Sequence, residues 1–163
     1  MQTKQFRHLP GLALAVLLVL CGSSGGADAS TVVGTWEVTL QFPEEACTAP
    51  CLCPLGTPNV PVPELHQYQR HGALLAIGFA TRSPGVGSWH RVGRDRFAFR
   101  FKLLRFTFTP TPTLAGSVEV TGESHLTGPD TYESTSTFDL FDVDGARIAE
   151  GCPINATATR FAE

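Results

Sequence analysis

From residue 32 onward, apolar and polar side chains alternate in short runs, the period of a strand with one buried face. Val32 to Phe42 carries Trp36, Val38, Leu40 and Phe42 on one parity and Glu37, Thr39 and Gln41 on the other. Leu65 to Gln69 and Ala73 to Ala80 flank Arg70-His71-Gly72, a hairpin signal. Ser83-Pro84-Gly85-Val86-Gly87 reads as a break before a strand over Ser88 to Val92. The next strand is the most informative, with Phe97, Phe99, Phe101 and Leu103 on one face and Ala98, Arg100 and Lys102 on the other. Past it the apolar set changes parity to Leu104, Phe106 and Phe108, so a buried face can continue only through a β-bulge near Leu103-Leu104.

Val118 to Leu126, Tyr132 to Phe141 and Ala146 to Arg160 complete the pattern, joined at Gly128-Pro129-Asp130 and Asp142-Val143-Asp144-Gly145. No stretch of ten residues holds helical periodicity. Seven or eight strands with short connections predict an all-β domain, a sandwich or an up-and-down barrel. The bulge and the consecutive hairpins favour a single antiparallel closed barrel of about eight strands, which also removes exposed sheet edges.

The first twenty-nine residues stand apart. Lys4 and Arg7 precede an unbroken apolar run from Leu12 to Leu20, and Ala27-Asp28-Ala29 supplies small residues at alternate positions, the three parts of a secretion signal cleaved before Ser30. The run is too short to span a bilayer, which takes roughly 20 apolar residues. Lipidation of Cys21 is the alternative, and Leu20, where lipoprotein signals carry a small residue, argues against it. Residues 30–163 then form one domain. The chain has formal charge −3, and the signal carries Lys4, Arg7 and Asp28, net +1, so the remainder stands at −4. That balance argues against nucleic acid as a partner.

Losing Cys21 leaves Cys47, Cys51, Cys53 and Cys152, an even set that favours two disulfides in an exported chain. A Cys51–Cys53 bridge would be strained, so Cys152 bonds Cys51 or Cys53 and Cys47 takes the other. The segment from Pro43 to Pro63 holds six prolines and three cysteines and reads as an irregular covering loop. A zinc site on the clustered thiols is the weaker alternative, since the spacing is not a usual ligand spacing.

Gly34-Thr35-Trp36-Glu37 resembles the Gly-x-Trp opening strand of lipocalins and other calycin barrels, in which the indole plugs one end. SPGVGSWHRVGRDRFAFRFKLLRF, then SVEVTGESHL and the hairpin at Asp142-Val143-Asp144-Gly145, is similar to exported bacterial proteins with an allene-oxide-cyclase-like, lipocalin-like barrel, over residues 83 to 160. The resemblance implies a central cavity able to hold side chains or one small ligand. It implies no activity, because the active-site residues of the cyclases, which isomerise an unsaturated fatty-acid epoxide, cannot be matched here.

The candidate ligand-binding residues follow from parity. Trp36, Tyr68, Phe79, Trp89, Phe99, Phe101, Tyr132 and Phe138 either fill the core or line a cavity. Ser124, Ser134 and Ser136 share a face with Leu126, Tyr132 and Phe138, and an inward hydroxyl needs a partner. His66, His71, His90 and His125 default to the surface; His90, beside Trp89 at an expected barrel mouth, is the one placed among the ligand contacts. Glu119 and Glu123 read as a solvated face, and Asp142-x-Asp144-Gly145 as a turn lacking the rest of a calcium loop. Asn155-Ala156-Thr157 fits a glycosylation acceptor or plain strand. No catalytic residue, cofactor or metal is assigned. The reading is a secreted barrel binding a small apolar ligand, with a cyclase or isomerase, or a filled structural barrel, as alternatives; nothing fixes the oligomeric state.

Overall fold

The computed structural model describes residues 31–51, 53, 56–78, 83–107 and 110–162. Residues 1–29, read as a secretion signal, and Phe79 lie outside the described residues. Eight antiparallel strands close on themselves in sequence order: β1 (Gly34–Gln41), β2 (Val62–Tyr68), β3 (Ala73–Gly78), β4 (Pro84–Arg91), β5 (Arg96–Thr107), β6 (Thr113–Gly128), β7 (Thr131–Phe141) and β8 (Arg147–Arg160). Pairing of β8 with β1, from Trp36–Arg160 to Gln41–Asn155, completes the ring and leaves no free edge. A 3₁₀ turn, Glu44–Cys47, lies in the loop between β1 and β2. No helix among the described residues is long and apolar enough to cross a membrane.

The alternation dictates which side chains enter. Phe97, Phe99, Phe101 and Leu103 are buried on β5, while Arg100, Lys102 and Leu104 face out. The bulge falls later than the parity change suggested. Arg105 pairs with Gly116 and Phe106 with Leu114, so Ala115 of β6 is the extra residue. Leu104 therefore stays on the outer surface, 44% exposed, instead of re-entering the core. Gly116 takes a positive φ of 123° at this irregularity, a conformation that side-chain-bearing residues rarely adopt.

Three further readings need correction. The expected break at residues 83–87 belongs to β4, where Gly85 and Gly87 are inward positions rather than turn formers. A Cβ at Gly87 would overlap the carbonyl oxygen of Arg100, and one at Gly85 would stand 3.0 Å from the Phe101 ring. Their missing side chains let β4 press against β5 and give the large aromatic room. β2 begins at Val62, not Leu65, and its inward residues are Val62, Glu64, His66 and Tyr68, with Leu65 outside. The zinc alternative also fails, because all four thiols are used in Cys47–Cys53 and Cys51–Cys152.

The hairpin at residues 142–145 is a turn as expected. Asp142 Oδ1 accepts from the backbone N–H of Asp144 and Ala146, and Gly145 holds φ 83°. Glu119 and Glu123 sit outside and pair with Arg100, Lys102 and Arg96.

One end of the barrel is sealed by aromatic packing. Trp36 is fully buried, 4.9 Å from Tyr132 between centroids, and Tyr68 meets Phe97 edge-on at 5.2 Å. Arg160 closes this end from above. Its guanidinium lies 4.4 Å over the Trp36 ring and donates to Asp130 Oδ1 and to the carbonyls of Val33, Thr31 and Pro129. An Arg160→Ala variant loses the cation–π contact and every one of these bonds, and should be destabilised by about 2 kcal/mol, checked by urea titration. Loss below about 0.5 kcal/mol would show that the other contacts hold this end unaided.

Candidate functional site

Between the sealed end and the Pro/Cys loop, the barrel encloses a cavity of about 80 Å³. Its walls come from the inward positions of β1 (Val38, Leu40), β2 (Val62, Glu64, His66), β5 (alternate residues from Phe99 to Arg105), β6 (Val118, Val120), β7 (alternate residues from Tyr132 to Leu140) and β8 (Ile154, Ala156). Most of this surface is apolar. The volume exceeds what one water needs and is several-fold below a drug-sized pocket of roughly 300 Å³ or more. Only a slender ligand fits without movement of the walls.

The loop covers the other end. Phe42 packs edge-on against Phe138 at 5.9 Å, Ala46 is fully buried, and the Cys51–Cys152 bridge, 5.7 Å between Cα atoms, ties the loop to β8.

Four polar side chains form a chain at the cavity floor. His66 Nε2 stands 2.9 Å from Glu64 Oε2, with both side chains about 95% buried. Donation from Nε2–H to the carboxylate leaves Nδ1 as an acceptor, and Tyr68 Oη lies 3.5 Å from it. The Tyr132 hydroxyl follows at 3.4 Å from Tyr68 Oη. The last two contacts are long for hydrogen bonds. Alternation explains how a charged pair enters a greasy barrel: positions 64, 66 and 68 share the inward parity with Val62, so the strand cannot turn them out without exposing Val62 and Tyr68.

Burial pushes both phenols to higher pKa. For Tyr68, desolvation outweighs the Tyr132 hydrogen bond, and the nearby Glu64 charge raises it further. For Tyr132, desolvation again dominates, with Tyr68 and Glu64 adding to it. These are the chain's two tyrosines, so a spectrophotometric titration reads this site alone. A raised native pKa means the folded state keeps protons that the unfolded state loses near pH 10. Stability from this source is complete below that pH and drains away as pH rises above it. Tyrosinate absorbance should thus stay absent through pH 10 and appear together with alkaline unfolding; titration of either phenol near pH 10 in the folded protein would contradict their burial.

Two more groups are unsatisfied. Ser134 Oγ, on the cavity wall, and Ser124 Oγ, buried beside it across the β6–β7 pairing, have no hydrogen-bond partner among the described residues. Ser136 donates to the carbonyl of Ile154 at 3.3 Å. Arg105 lines the cavity at the loop end, where its Nη2 donates to the carbonyl of Ala115 and its buried Nε has no partner among the described residues.

The structure sorts the candidate residues by position. Phe99, Phe101, Tyr132, Ser134, Ser136 and Phe138 line the cavity. Trp36, Tyr68 and Ser124 are buried behind it. Trp89 and His90 do not reach it: Trp89 is half-buried at the sealed end, donating to the Gln69 carbonyl, and His90 points outward on β4. The surface default fails for His66, which is 3% exposed. Glu64, His66 and Arg105 were the polar residues missed. The signal available was Val62-x-Glu64-x-His66-x-Tyr68, an alternation hidden by the apolar Leu65 on the other parity.

No family model matches the chain, and no curated protein matches it. Among solved structures, EF1p2_mFAP2b bound to DFHBI is similar, with a TM-score of 0.54 and 15% identity over 79% of this chain and 93% of that one. At this identity the likeness is one of fold.

Proposed function

We propose that the protein is an exported barrel that holds a small, slender apolar molecule in its interior. The observation that carries this is the interior cavity itself, walled by Phe99, Phe101, Val120, Phe138 and Leu140 and floored by hydrogen-bonding groups. A purely structural barrel gains by filling such a space, since voids in a core are destabilising. The similar solved barrel, described as bound to DFHBI, lends support by showing that a fold of this kind accepts a small molecule. Export rests on the signal read in residues 1–29, and two disulfides suit an oxidising compartment. Intact mass of the recovered protein tests it, with cleavage before Ser30 expected and a retained leader opposing it.

Calorimetry with 1-octanol tests the binding reading. Burial of the eight-carbon chain at about 0.8 kcal/mol per methylene gives about 6 kcal/mol before the cost of association, so saturable 1:1 binding with a Kd no tighter than about 0.02 mM is the expected result. Ala156 faces the cavity from β8, so Ala156→Phe should fill the space and abolish binding. Binding undiminished in a folded Ala156→Phe protein would place the alcohol elsewhere.

One observation favours a second reading. The Glu64–His66–Tyr68–Tyr132 chain is a buried set of proton donors and acceptors beside an apolar space, which suits a cyclase or isomerase acting on a flexible substrate held in a reactive conformer. Turnover of an unsaturated fatty-acid epoxide, lost in Glu64→Gln, would support it. Absence of turnover in the wild-type protein would end it.

A further inference from the structure

The four cations of β5 are not alike. Arg96 pairs with Glu123, and Arg100 and Lys102 share Glu119, all on the outer surface. Arg105, after the parity of Leu103 and before the bulge, instead lines the cavity, and among the described residues no carboxylate lies within 4 Å of it. Its Nη2 is held by the Ala115 carbonyl at 3.0 Å, which fixes the guanidinium, while the buried Nε–H meets no acceptor among the described residues. A guanidinium cannot shed its proton. Its buried donor is satisfied only by an acceptor that enters from the cavity, and an anionic acceptor makes the stronger bond.

From this geometry we infer that Arg105 is an anion-recognising residue and that the ligand is a slender monocarboxylate, bound with its carboxylate toward the loop end and its apolar chain inward. The inference rests on the ligand-binding reading and sharpens it. The wall between the polar ends is apolar: Phe101, Leu103, Val118, Val120, Phe138 and Leu140. From Arg105 to Phe99 the strand runs six residues, about 20 Å at the usual rise. A cavity of only 80 Å³ drawn out along part of that length suits an unbranched chain better than a ring system. Glu64 sets the direction. A carboxylate at the floor would face another carboxylate, whereas at the loop end it meets the unpaired cation.

Calorimetry at low ionic strength with octanoate and its neutral isostere octanamide tests this. Octanoate should bind wild-type protein at least ~10-fold more tightly, the size of a charge-assisted hydrogen bond. Arg105→Met should erase the preference, weakening octanoate by at least ~10-fold more than octanamide, whose neutral carbonyl accepts the weaker bond. Should that variant fail to fold, the Arg105 Nε–H resonance of the wild-type protein decides: it should move on addition of octanoate, and farther than with octanamide, because the anionic acceptor makes the stronger bond. Equal affinity of the two probes, a preference that survives Arg105→Met, or an unmoved Nε–H would overturn the assignment of Arg105 and leave the binding reading standing. Failure of both probes to bind would remove the binding reading as well.

Discussion

Replacing Cys51 and Cys152 together by alanine should lower the melting temperature by on the order of 15 °C, the largest effect expected of any covalent change here. The bridge joins residues 101 apart in sequence. Closing so long a loop restricts the unfolded chain by about 4.7 kcal/mol in the chain-entropy model. Cys47–Cys53 spans six residues, and its loss should cost only about 2 kcal/mol on the same model. The two effects differ in kind as well. Cys152 is fully buried on β8, so the long bridge also holds the covering loop against the end of the barrel, beside Phe42 and Ala46. Melting curves of the two double variants, followed by circular dichroism, make the comparison; equal shifts would mean that loop length is not what sets the stabilisation.

His66→Leu should destabilise by about 3–5 kcal/mol, because it strands the Glu64 carboxyl in an apolar interior without its partner. The reciprocal Glu64→Leu leaves a buried imidazole short of its acceptor and should cost somewhat less. The double variant Glu64→Leu/His66→Leu removes both polar groups together and should recover to within about 1 kcal/mol of wild type, or exceed it. Such a cycle carries a large coupling energy between residues 2.9 Å apart. Additive losses in urea titrations would show that the two side chains do not depend on one another. Recovery would have a further meaning. A pair that contributes little to stability and occupies a ligand-sized interior is kept for what the interior does.

Much of the barrel was legible because period-two alternation is strong wherever one face is greasy. The Phe97-Phe99-Phe101-Leu103 face, the turn at Asp142 to Gly145 and the pairing of Cys152 with one of Cys51 or Cys53 all followed from local chemistry. The errors share one cause. Where the inward residue is small or polar and the outward one apolar, parity reads backward, as on β2 with Glu64 and His66 inside and Leu65 outside, and on β4 with Gly85 inside and Val86 outside. The bulge was displaced for the same reason, since Leu104 is an outward leucine. Arg105 escaped notice because the apparent switch of the apolar set to Leu104 and Phe106 put it on the outer face, whereas it keeps the inward parity of Leu103. Choosing between Cys51 and Cys53 for Cys152 likewise required knowing where the loop crosses the barrel end.

Methyl NMR during a titration with 1-octanol tests occupation of the interior most directly, because the barrel carries its own control. Val38, Val62, Val120, Leu140 and Ile154 line the cavity, while Leu65, Ile77, Val86 and Leu104 bear their methyl groups on the outside of the same sheet. Saturable shifts confined to the first set are the expected result. Shifts confined to the outer set, or none at millimolar alcohol, would show that nothing of this kind enters the barrel.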